Sequence, residues 1–195
     1  MKEDNREIEV KFSIESEAEV IEQAIAAGAV CEQPVQFERN LRFDDNAGNL
    51  SQNQQVLRLR NNGGKSILTF KSNKNTTEGL ADREEIETVI DDFDRMEMIL
   101  DRLGYKIVFI YEKYRSIYSL NDTTIFFDTT PIGCFIEIEG PDEAAICKTA
   151  VKLGMDWDKR SGKGYKAVFS NWKQQNGYPG RDMVFSEIRA WETSK

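Results

Sequence analysis

Charged side chains occupy alternate positions in one short apolar segment after another along this chain. Glu7 and Glu9 precede Lys11 in Glu7-Ile8-Glu9-Val10-Lys11, and Arg58-Leu59-Arg60 repeats the spacing with bases alone. Arg83, Glu85 and Glu87, then Lys113 and Arg115, then Glu137 and Glu139, keep the same rule. Asp128 joins them at the end of Ile125-Phe126-Phe127-Asp128. On an extended strand, residues two apart share a face. Each segment therefore has an apolar face and a charged face. If the charged faces converge, they line a pocket with a basic half and an acidic half. Arginine forks and lysine ammonium groups suit phosphate oxygens, whereas carboxylates suit a hard divalent cation. Phosphate together with a divalent metal is the ligand that uses both halves.

Any single segment of this kind could simply turn its charges to solvent. The case for a pocket rests on recurrence, with acids and bases spread over separate segments. Ile8, Val10, Leu57, Leu59, Ile86, Ile136 and Ile138 already supply a core-facing side. A buried set of such charges is costly unless the two signs balance and a ligand completes them.

The 195 residues, 39% of them hydrophobic, fit one domain with a real core, or one domain with a tail. A net charge of -8 disfavours a nucleic-acid partner, which calls for a basic patch. There is no histidine, which removes Ser-His-Asp and Cys-His catalysis and the usual histidine metal sites. A metal would be held by carboxylate oxygens, favouring Mg²⁺ or Mn²⁺. Three cysteines (Cys31, Cys134 and Cys147) lack ligand spacing, and an odd number suits a reduced compartment. Met1-Lys2-Glu3-Asp4 opens directly into charge, which argues against a signal peptide. No apolar run approaches the ~20 residues of a membrane span. The expectation is a soluble, cytoplasmic protein with no membrane partner.

The elements that must position these charges follow from pattern and punctuation. Strands are expected at 6–13, 37–44, 55–60, 66–71, 83–90, 106–120, 124–129 and 134–139. Asn61-Asn62-Gly63-Gly64 marks a hairpin. Helices are expected from the Ser16/Glu19 capping box to Gly28, over 91–103, and over 142–153. Residues 72–79 read as a polar loop, and 174–180 as a linker to a short helix near 184–191. Sequential hairpins with charged interior positions predict an α+β fold built on an antiparallel barrel of about eight strands with flanking helices. The division expected is a domain over 1–173 and a tail over 174–195. Asn40 and Arg42 share a strand face that is either interior or exposed. Cys134 reads as a buried thiol, and Trp157, Trp172 and Trp191 as packing residues.

Glu7-Ile8-Glu9-Val10-Lys11 resembles the Glu-x-Glu-x-Lys signature of the CYTH family, the triphosphate tunnel metalloenzymes. The later motifs keep the family's order: Leu57-Arg58-Leu59-Arg60, Leu68-Thr69-Phe70-Lys71, Arg83 with Glu85 and Glu87, and Lys113-x-Arg115. Asp128 and Gly133-Cys134-Phe135-Ile136-Glu137-Ile138-Glu139-Gly140 complete the set. The likeness runs from about residue 6 to 170. It implies an eight-stranded antiparallel tunnel that binds a triphosphate along its axis. By motif, Lys11, Arg58, Arg60, Lys71, Lys113 and Arg115 would grip phosphate, joined by Arg83. Glu7, Glu9, Asp128, Glu137 and Glu139 would hold Mg²⁺ or Mn²⁺. Glu85 and Glu87 would line the tunnel. Lys163, in Gly162-Lys163-Gly164-Tyr165, resembles a late position where a helix closes one mouth, and would join the triphosphate-binding set. Glu7, Glu9, Lys11, Lys113 and Arg115 are the catalytic candidates.

The resemblance leaves two reactions open. A cyclase turns the ribose 3′-hydroxyl of ATP onto its α-phosphorus and releases pyrophosphate. A triphosphatase directs water onto inorganic triphosphate, thiamine triphosphate or a nucleoside triphosphate. Tyr111-Glu112-Lys113-Tyr114-Arg115 and Asp128-Thr129-Thr130-Pro131-Ile132-Gly133 look closest to bacterial class IV adenylate cyclase-like proteins, which favours the first. A non-catalytic triphosphate or polyphosphate sensor is the third class, and a homodimer is left open.

Overall fold

In the computed structural model, which describes residues 5–77 and 79–194, the strand expectation is met with two long extensions. The strands are β1 (Arg6–Ile14), β2 (Val30–Asp44), β3 (Val56–Asn61), β4 (Ser66–Thr77), β5 (Leu80–Ile90), β6 (Lys106–Leu120), β7 (Thr123–Thr130) and β8 (Gly133–Glu139). They close into a barrel in the order β1-β5-β4-β3-β2-β6-β7-β8, each neighbour antiparallel. β2 starts at Val30 rather than near 37, with register shifts at Cys31/Gln33 and Gln33/Gln36. Pro34 lies within the second shift and has no N–H to give the ladder, so a bulge carries it. The segment 72–77, expected as loop, continues β4 against β5, with an irregularity at Asn73/Asn75. Polar composition hid that strand. Glu78, in the same expected loop, lies outside the described residues, as does the charged opening Met1–Asp4.

The helices are α1 (Glu17–Ala26), α2 (Asn49–Gln52), α3 (Phe93–Arg102), α4 (Glu143–Lys152), α5 (Tyr165–Asn176) and α6 (Phe185–Thr193). Ser16, Asp92 and Asp142 cap α1, α3 and α4 by accepting from backbone N–H groups of Glu19, Arg95 and Ala145. Outward residues of β1, β7 and β8, among them Val10, Ile125, Phe127, Ile136 and Ile138, pack against Val20 and Ala24 of α1 and Ile146 and Ala150 of α4. On the far side, Leu41, Phe43 and Leu59 bury against Leu100 of α3. Each fully buried aliphatic side chain contributes about 1.5–3 kcal/mol. This outer packing is what lets the barrel interior be polar.

α5 crosses one end of the barrel. Phe109 and Tyr111 of β6 and Phe135 of β8 keep the inward phase, and they pack with Tyr165 and Phe169. The expected linker is not a free segment. α5 runs through 174–176, Tyr178 and Met183 are buried, and Met183 exchanges backbone hydrogen bonds with Ile110 and Glu112. Trp172 and Trp191 join that cluster, and Trp157 packs with Phe12. Among the described residues no helix is long and apolar enough to cross a membrane.

Candidate active site

Cross-strand register brings the charged residues together level by level. Glu9 faces Glu139 and Lys11 faces Glu137 across β1 and β8. Glu7 faces Arg83, Lys71 faces Glu85, and Glu38 faces Lys113. The result is a cavity of about 660 Å³, within the usual range for ligand sites. Glu7, Glu9, Lys11, Arg58, Arg60, Lys71, Arg83, Glu85, Glu87, Lys113, Arg115, Glu137 and Glu139 all line it. Asp128 and Lys163 do not.

The acidic half centres on the β1–β8 seam. One carboxylate oxygen from each of Glu7, Glu9 and Glu139 lies within 4.8 Å of the others. Burial alone would raise the Glu7 carboxyl, but Lys71 at 2.8 Å and Arg83 at 3.2 Å outweigh it and hold it down to about 2. Glu9 pairs with Arg83. Glu139 has no ion pair among the described residues, and burial with the charges of Glu7 and Glu9 pushes it well above the carboxylate range. Burial and Glu7 likewise push Glu85 up to about 7, against Lys71. Three converging carboxylates with one left uncompensated suit a hard cation bound through oxygen. The donor set fits Mg²⁺ or Mn²⁺.

The other two expected metal ligands stand elsewhere. Asp128, fully buried, accepts from Arg115 Nε at 2.6 Å and Nη2 at 2.5 Å, Lys113 Nζ at 3.1 Å and the Tyr165 hydroxyl at 2.5 Å. Four donors, three of them on Oδ2, tie it to the bases, so it holds them rather than joining the acidic triad. Glu137 accepts from Lys11 Nζ at 2.5 Å and pairs with Arg115. Burial would raise its carboxyl, yet Arg115 and Lys11 hold it well below the usual range. Lys163 is exposed on the loop before α5, while its neighbours Gly162 and Gly164 form the cavity wall. Glycines allow the close approach there: a Cβ on Gly162 would stand 2.8 Å from the Leu80 backbone.

On the basic side, Arg58 donates to Glu87 at 3.1 Å, Thr69 at 3.2 Å and the Tyr111 hydroxyl at 3.3 Å. Arg60 reaches Glu87 at 3.5 Å and Glu38 at 3.9 Å. Glu38 is buried and also pairs with Lys113 at 3.6 Å. Sequence reasoning passed over it, although Glu38-x-Asn40-x-Arg42 carries the same alternation as the motifs that were found. Asn40 turns out buried, with neither amide atom hydrogen-bonded, and Arg42 lines the cavity. Tyr165 was also missed. Its ring lies under Lys11 at 4.2 Å and Lys113 at 5.1 Å, a placement no local motif announces.

Comparison with known proteins places this geometry. The CYTH domain profile matches residues 5–163. A relative from Methanocaldococcus jannaschii, named "putative adenylate cyclase", is 30% identical over 134 residues, covering 68% of this chain and 75% of its own. The solved PH1012 protein of Pyrococcus horikoshii superposes with a TM-score of 0.70 at 25% identity, over 82% of this chain and 96% of that one. A Hippeastrum protein, whose description as an adenylyl cyclase adds a dominant triphosphatase activity, shares the fold at a TM-score of 0.63 and 20% identity. That match covers 85% of this chain and 96% of the other. With a closed eight-stranded barrel, an inward lining of opposed acids and bases and a match over most of its length, the chain belongs to the CYTH domain family.

Proposed function

We propose that this protein is a metal-dependent enzyme that holds a triphosphate inside the barrel and hydrolyses it. The observation that carries the reading is the acidic triad of Glu7, Glu9 and Glu139 sharing one cavity with seven ion-paired bases: Lys11, Arg58, Arg60, Lys71, Arg83, Lys113 and Arg115. Anion capture alone has no use for such a triad. Glu7, Glu9 and Glu139 would hold Mg²⁺ or Mn²⁺, which supplies charge stabilisation at phosphoryl oxygens. The bases neutralise the remaining phosphate charge. Their carboxylate partners keep them extended into the cavity before substrate arrives, so little reorganisation accompanies binding. Asp128 acts at one remove, by fixing Lys113, Arg115 and Tyr165.

One feature favours hydrolysis over cyclisation. A cyclase must fix the adenosine as well as the phosphates, and an aromatic platform is the usual means. Every ring lining this cavity is already engaged: Phe126 under Arg115 at 4.3 Å, Tyr165 under two lysines, and Tyr111 between Phe109 and Tyr165. The second reading, cyclisation of ATP, draws support from the name of the archaeal relative and from the sequence around Tyr111 and Asp128. The cytoplasmic placement is likewise proposed, on the free state of all three cysteines.

Product analysis decides between the readings. Inorganic triphosphate, thiamine triphosphate and ATP are each incubated with the protein and Mg²⁺ or Mn²⁺, then resolved by chromatography. Orthophosphate is the expected product, with activity abolished by excess chelator and restored by metal. Cyclic AMP with pyrophosphate from ATP would establish the second reading. Tight binding without any product would leave a sensor.

A further inference from the structure

We propose that Arg42 and Lys166 form an additional phosphate subsite at the α5 end of the cavity, taking the distal phosphate of a chain longer than three. The proposal rests on the reading of the cavity as a triphosphate site. Both residues line that cavity, one from β2 and the other from α5. Arg42 lies opposite Arg58 on one side and Phe109 on the other, and Phe109 stacks on Phe169 of α5 at 5.7 Å. That register sets Arg42 level with Arg58 and beside the aromatic residues that pack on α5. Glu38, which faces Lys113, is four residues back along β2, a rise of about 13 Å. A ligand centred on Lys113 must therefore extend along the barrel to reach it.

What singles these two bases out is the absence of a partner. The seven central bases each have a carboxylate within 4.0 Å, whereas Arg42 and Lys166 have no ion pair or side-chain hydrogen bond among the described residues. Lys65 is also unpaired, but it stands exposed in the turn between β3 and β4. The carboxylate that acts on both, Asp44, is already hydrogen-bonded. Its carboxylate accepts from the backbone N–H groups of Asp45 at 3.0 Å, Leu50 at 2.9 Å and Ser51 at 3.0 Å. Burial, with repulsion from Arg58 and Arg83, draws the Arg42 guanidinium down from its usual pKa against the opposing pull of Tyr111 and Asp44. Burial and Arg42 do the same to Lys166. An anion between them relieves both costs. Arginine fork and lysine point charge together suit a terminal phosphate, which carries more charge and more free oxygens than an internal one.

Calorimetric titration with inorganic triphosphate and inorganic tetraphosphate in Mg²⁺ tests this through the ratio of the two affinities. The parent protein is expected to prefer tetraphosphate by about tenfold or more. Arg42→Gln and Lys166→Gln should each remove most of that preference, and Arg42→Lys should keep part of it. A parent protein that binds triphosphate without preferring tetraphosphate would overturn the subsite alone. So would a preference that survives both glutamine variants. Failure of the parent protein to bind triphosphate at all would instead overturn the underlying reading. Circular dichroism on each variant separates a lost subsite from a lost fold, and Lys166, half-buried on a helix surface, is the variant least exposed to that ambiguity.

Discussion

Glu137→Gln is expected to destabilise the protein, whereas Glu139→Gln, two residues along the same strand face, is expected to stabilise it when metal is chelated. The first change strips the counter-charge from Lys11 and Arg115, both buried. Breaking such a pair costs about 3–5 kcal/mol, and at this chain length each kcal/mol moves Tm by roughly 2–4 °C. The second change removes a carboxyl that burial and two neighbouring acids already penalise. The pH dependences run in opposite directions. Glu137 has a folded pKa well below the ordinary 4.5, so its contribution is present above 4.5 and is lost as pH falls through the folded value. Glu139 has a folded pKa above 4.5, so the metal-free protein loses stability as pH rises from 4.5 through that raised value. Thermal melts from pH 4 to 9 in chelator should show the Glu139→Gln variant gaining most at high pH. Both variants should lose most of their activity. Equal destabilisation by the two changes would mean that Glu139 is not the uncompensated member of the triad.

Asp128→Asn separates support from metal binding. The amide cannot accept charge-assisted bonds from Arg115, Lys113 and Tyr165 as the carboxylate does, and its own N–H₂ would point at donors. A loss of about 3–5 kcal/mol in stability and of orders of magnitude in kcat is expected. The metal concentration giving half-maximal activity should hardly move. Glu9→Gln should behave the other way, raising that concentration on the order of tenfold or more. Metal titrations of activity in the two variants check this, and a large metal shift in Asp128→Asn would return Asp128 to the ligand set.

Most of the barrel was legible because period-two patterning is a local property. Glu7-Ile8-Glu9-Val10-Lys11 states its own inward and outward faces, and Glu137-Ile138-Glu139 does so again. What a strand residue meets inside the barrel is not local. Glu137 and Glu139 have the same type, strand and phase, yet one sits among bases and the other among acids. Only the pairing of β8 with β1 decides which. The polar end of β4 and the Pro34 region of β2 were missed for a different reason: barrel closure supplies hydrogen-bonding partners that override weak local propensity. Tyr165 arrives from α5, more than forty residues from the lysines it supports, as tertiary packing alone dictates.

The β1–β8 seam also sets the order in which the molecule can be built. β1 comes first in the barrel's chain order, but its partner Glu137 follows Lys11 by 126 residues. Until β8 exists, β1 has one unpaired edge, and such non-local pairing is intrinsically slow. The hairpins β3–β4 and β6–β7 need no distant partner. In pulsed hydrogen exchange during refolding their amides should gain protection before those of β1 and β8. The three carboxylates proposed to bind metal straddle this last-formed seam, two from β1 and one from β8. Ions bound there act as a clasp across it, slowing reopening, and a nascent chain lacking β8 has no site to occupy.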